Sequence, residues 1–119
     1  MDNFKYLLVI GGNGVLGSSV VKVFKNDKSN WKICVIDYFG NSEADKNIVI
    51  DKTYKFNEEF VKKLYSDIES FSSSYQAIIN FAGKMTRGSV KNIEIFQQTE
   101  EMFNENYYSS LLGKIVFDH

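Results

Sequence analysis

Three glycines fall within six residues, Gly12-Asn13-Gly14-Val15-Leu16-Gly17, and Asp37 follows twenty residues after the last of them. Each glycine has a physical role in holding a diphosphate. The first permits a tight turn, the second lets the backbone approach the phosphates with no Cβ in the way, and the third lets the next element pack closely. A helix opening at this point offers free N–H groups and partial positive charge to phosphate oxygens. A carboxylate at Asp37 can accept hydrogen bonds from a ribose 2′- and 3′-hydroxyl pair, and its charge repels a 2′-phosphate. Tyr38, Phe39 and Gly40 follow with no Arg or Lys among them. The pattern predicts NAD(H) ahead of NADP(H).

This chemistry needs the turn to sit between a strand and a helix. Residues 6–10, Tyr-Leu-Leu-Val-Ile, form a continuous apolar run ending in Gly11 and Gly12, as a strand covered on both faces does. Leu16, Val20, Val21, Val23 and Phe24 recur at helical spacing. Apolar strands are expected at residues 31–37, 47–50 and 77–81. Phe56, Phe60, Val61, Leu64, Ile68 and Phe71 mark one face of a helix opened by Asn57, Glu58 and Glu59. Residues 71–75 read as a loop, and residues 99–117 as a last helix. The order β-α-β-β-α-β-α predicts an α/β fold: a three-layer, Rossmann-type, doubly wound parallel sheet, present as an N-terminal half of about four strands.

The stretches Gly11-Gly12-Asn13-Gly14-Val15-Leu16-Gly17-Ser18, Asp37 and Asn80-Phe81-Ala82-Gly83 resemble the short-chain dehydrogenase/reductases. Residues 31–37 and the following Asn41-Ser42-Glu43-Ala44 make the likeness strongest to the pteridine-reducing members. The resemblance runs over almost all of the chain but matches only about the first half of such a reductase. It implies that residues 12–17, with Gly11, cradle the pyrophosphate. Asp37 would hold the adenosine ribose with Tyr38 beside the adenine, and Asp51 would meet the adenine amino group. Ala82 and Gly83 would pass the nicotinamide-side ribose, and Asn106 would support a proton-relay water. Asp51 reads equally well as a strand-end turn residue, and Asn106 as an ordinary solvated helix residue.

Members of that family use a tyrosine as the acid and a lysine four residues later. Here Tyr6, Tyr38, Tyr54, Tyr65, Tyr75, Tyr107 and Tyr108 are followed at that distance by Ile10, Ser42, Glu58, Glu69, Ile79, Leu111 and Leu112. The 119 residues therefore read as one NAD(P)-binding domain incomplete at its C-terminus: a fragment, a truncated product or a piece needing another chain. Phe103, Tyr107, Leu111 and Ile115 form one apolar row, and Tyr108, Leu112 and Val116 a second. Rows this wide favour a homo-oligomer or association through the last helix.

The implied reaction is hydride transfer from NADH to a quinonoid dihydropterin, this chain supplying the cofactor half. Two alternatives stay open: a non-catalytic dinucleotide-binding module or remnant, and an S-adenosylmethionine-dependent methyltransferase. The third glycine's spacing and Asn80-Phe81-Ala82-Gly83 count against the methyltransferase. Composition narrows the rest. A net charge of −1 without a basic stretch argues against nucleic acid, and no apolar run is long enough to span a bilayer. Cys34 is the only cysteine and His119 the only histidine. Neither supports a metal site, and the single cysteine favours a reducing, cytoplasmic setting.

Overall fold

The computed structural model describes residues 4–55 and 57–82. Contacts divide the chain into one compact unit, Met1–Phe81, and another, Ala82–His119. The expected last helix, with its apolar rows, lies outside the described residues, as do Phe56, Gly83 and Asn106.

The elements run β1 (Lys5–Ile10), α1 (Val15–Lys25), β2 (Trp31–Asp37), β3 (Lys46–Val49), α2 (Glu58–Phe71) and β4 (Ala77–Asn80). All neighbouring strands are parallel, in the order β3-β2-β1-β4. The α/β Rossmann-type architecture expected from the alternating pattern is therefore present. Leu7, Leu8, Val9 and Ile10 of β1 and Ile33, Cys34, Val35 and Ile36 of β2 are all buried. Successive strand residues face opposite sides, so four consecutive buried positions require cover on both faces. On one side Leu7, Val9, Ile33 and Val35 pack with Val21 of α1. Leu64 and Ile68 of α2 are also buried, and α2 contacts β3.

Both helices follow local rules, with one departure. The Asn57 side chain caps α2 by accepting from the Phe60 N–H at 2.8 Å, and Glu58 and Glu59 fill the first turn. This is the expected helix start. In α1 the buried residues are Gly17 and Val21, whereas Leu16 and Val23 from the expected apolar face are exposed. Gly17 packs against the backbone of Gly11 and Gly12, and Val21 carries the contact with the core of the sheet.

Residues 38–45 join β2 to β3, adjacent parallel strands that usually need a crossover of about a dozen residues or more. Polar side chains hold this short link. The Asn41 N–H donates to Asn47 Oδ1 at 2.8 Å, and Asn47 Nδ2 donates to the Asn41 carbonyl at 3.1 Å. Asp45 ties its end to β2, accepting from the Ile33 N–H at 2.8 Å while its own N–H donates to the Ile33 carbonyl at 2.9 Å.

Candidate cofactor site

Chain order reverses at β1, which has β2 on one side and β4 on the other. In open α/β sheets the crevice beyond the carboxyl ends of strands at such a reversal is where ligands bind. The glycine turn leaves β1 there, Asp37 ends β2, and Phe81 follows β4. The ladder continues to this edge: the Gly11 N–H donates to the Ile36 carbonyl at 2.8 Å and the Phe81 N–H to the Ile10 carbonyl at 2.7 Å.

The glycine roles differ in one respect from the sequence expectation. Gly11, with φ 77°, takes the left-handed conformation that opens the turn. Gly12 instead lies against β2, where an added Cβ would stand 2.8 Å from Val35 Cγ1. Gly17 fits under the turn, since a Cβ there would run into the Gly11 carbonyl and lie 2.9 Å from Gly12 Cα. Gly14 behaves differently: its nearest neighbour would be the Gly11 carbonyl oxygen at 3.7 Å. The protein does not require a glycine at 14 for space, so the outer face of the turn is left clear.

The N-terminus of α1 matches that open face. Gly14 is its N-cap, no side chain among the described residues caps it, and no acid occupies its first turn. The same chain gives α2 both an asparagine cap and two acids. The leading N–H groups of α1 therefore remain available to an anion.

Asp37 stands beside this turn. Its Oδ2 accepts from the Asn13 N–H at 2.8 Å and its Oδ1 from the Tyr38 N–H at 2.7 Å. Each carboxylate oxygen has a second acceptor site, so two backbone bonds fix the group and leave capacity for hydroxyl donors. These residues fit a dinucleotide: Gly11 to Gly17 would hold its diphosphate and Asp37 its adenosine ribose. Such a cofactor supplies or accepts the hydride, and the protein orients it.

Val15 and Leu16 are exposed on the first turn of α1. Ala82 is half-buried and belongs to the second unit. Asp51 closes its own turn: Oδ1 accepts from the Thr53 N–H at 2.8 Å and from Thr53 Oγ1 at 2.7 Å, which holds the carboxyl below the usual aspartate range. Tyr38 and Phe39 are not remote from every cation. Lys52 Nζ lies 6.0 Å from the Tyr38 ring and 5.0 Å from the Phe39 ring. This lysine comes from beyond β3, well outside the residues that directly follow Asp37.

Asn41 is the site residue that spacing did not reveal. It is 7% exposed, and its Nδ2 donates to the Gly12 carbonyl at 3.0 Å. The available signal was an asparagine four positions after the acid, in a link too short to contain a helix. Among the described residues no group of three His, Cys, Asp or Glu could hold a metal, and no helix is long and apolar enough to cross a membrane.

The parallel sheet and its helices define an α/β domain of the Rossmann type. No family model matches the chain. Dihydropteridine reductase from Dictyostelium discoideum is 32% identical over 106 residues, covering 89% of this chain and 44% of the relative. A short chain dehydrogenase family protein from Francisella tularensis superposes with a TM-score of 0.68 at 24% identity, over 97% of this chain and 46% of that one. The ligand-free aldohexose dehydrogenase of Thermoplasma acidophilum gives 0.61 at 20%, over 90% and 41% respectively. The solved structures establish the Rossmann-type fold. At 32% identity the chain is similar to dihydropteridine reductase over the part that the two share. The chain spans less than half the length of each of these relatives.

Proposed function

We propose that this chain is the cofactor-binding half of an NADH-dependent short-chain oxidoreductase, one that passes hydride from NADH to a quinonoid dihydropterin. The observation that carries the cofactor assignment is the pairing of Asp37 with the Asn13 N–H beside an uncapped α1 N-terminus. A fixed carboxylate at the ribose position favours two hydroxyls and opposes a 2′-phosphate, so NADH is preferred to NADPH. The pterin assignment is supported by the likeness to dihydropteridine reductase. The lone, fully buried Cys34 suits a reducing cytoplasmic compartment. No Tyr-x-x-x-Lys pair occurs among the 119 residues, so this chain's share is cofactor binding and orientation. Calorimetric titration of the 119-residue chain with NADH and NADPH tests the proposal. Saturable NADH binding, tighter than NADPH, is expected. Absence of NADH binding would refute it, and turnover of dihydropterin by this chain alone would overturn the division of labour.

A further inference from the structure

We infer that Asn41 is a positioning residue for the diphosphate cradle, an inference that rests on the dinucleotide assignment above. The Gly12 carbonyl belongs to the turn whose backbone would face the phosphates, and Asn41 Nδ2 donates to it at 3.0 Å. The other end of the amide is also engaged, Oδ1 accepting from the Glu43 N–H at 2.8 Å. Asn47 fixes the Asn41 backbone through both its N–H and its carbonyl. Gly12 also lies close against β2, where a Cβ would stand 2.8 Å from Val35 Cγ1. The turn is thus held from the β2–β3 link by one buried side chain, while Asp37 holds it at Asn13. The Gly12 carbonyl shares its peptide plane with the Asn13 N–H, which donates to Asp37 Oδ2, so Asn41 and Asp37 together fix that plane and with it the path of the turn into Gly14 and the opening of α1. Asn41 has to be an amide. A carboxylate of the same shape could accept from Glu43 but, when ionised, could not donate to Gly12.

Asn41→Asp isolates that single donor. NADH, which carries the diphosphate, and adenosine, which does not, are the two probes. The expected result is about a tenfold loss of NADH affinity, with adenosine affinity changed by less than about twofold, read by chemical-shift titration. Equal losses for both probes would reduce Asn41 to a general structural role, and no loss for either would overturn the proposal. A second measurement needs no variant. In the native chain the Asn41 side-chain amide signal should shift on adding NADH and stay in place on adding adenosine. An unmoved signal at NADH saturation counts against the role. A native chain that fails to bind NADH removes the dinucleotide assignment and this inference together. A native chain that binds it as well as Asn41→Asp does removes this inference alone.

Discussion

The Asn13 N–H donates to Asp37 Oδ2 at 2.8 Å, joining the glycine turn after β1 to the last residue of β2. One carboxylate therefore braces the turn and presents its remaining acceptor capacity beside it. Replacing Asp37 with Ala removes the brace, the ribose acceptor and the charge that opposes a 2′-phosphate. NADH affinity should fall by about tenfold or more while the NADH-to-NADPH preference narrows toward unity. Fluorescence titration with both cofactors checks this. Lys52, close to the Tyr38 and Phe39 rings, is the nearby cation that could then favour the phosphate.

Gly12→Ala should destabilise the chain by about 1–3 kcal/mol, because its Cβ would overlap Val35. Val35→Ala added to Gly12→Ala should return part of that loss. Denaturant unfolding of the two single variants and the double variant measures the coupling. Additive losses would show that the contact does not limit the turn.

The Asp45 carboxyl experiences opposing effects. Burial works to raise its pKa, but the hydrogen bonds from Lys25 and the Ile33 N–H outweigh burial and hold it below 3.8. A folded-state pKa below the unfolded value adds stability that is fully present above the unfolded pKa and is lost as pH falls through the folded one. Unfolding free energy should therefore drop as pH falls below about 4. Asp45→Asn should flatten part of that slope. Asp27, held by Trp31 and Ser29, and Asp51, held by Thr53, are lowered too and should keep the remainder. Denaturant midpoints measured from pH 6 downward (~pH 3 at the lowest) test this.

Cys34 should be inert in the folded chain. Burial pushes its thiol up to about 12, with Lys46 opposing only in part. A thiol-specific disulfide reagent at neutral pH should react many-fold faster after denaturation than before, since the thiolate is the reacting form.

Much of this was legible in the sequence because the signals are local. The apolar run ending at Gly11 fixed β1, and Asn57 with two acids fixed the start of α2. Asp37 was found because its distance from Gly17 is set by one helix and one strand. The rest depends on contacts between distant segments. Gly11 takes the left-handed conformation, while Gly12 lies against Val35, over twenty residues away, a contact that local spacing does not reveal. Asn41 looks like any loop asparagine until β3 pairs with β2 and folds the link over the turn. Leu16 fits a buried helical stripe by spacing, yet it stands exposed on the first turn of α1.

The most direct test of the cofactor site is amide mapping by NMR of the 119-residue chain during addition of NADH. The account predicts the largest shifts at the amides of residues 12–17, with Tyr38 following as Asp37 engages the ribose. Saturable binding that moves amides elsewhere and leaves those of residues 12–17 unchanged would contradict it.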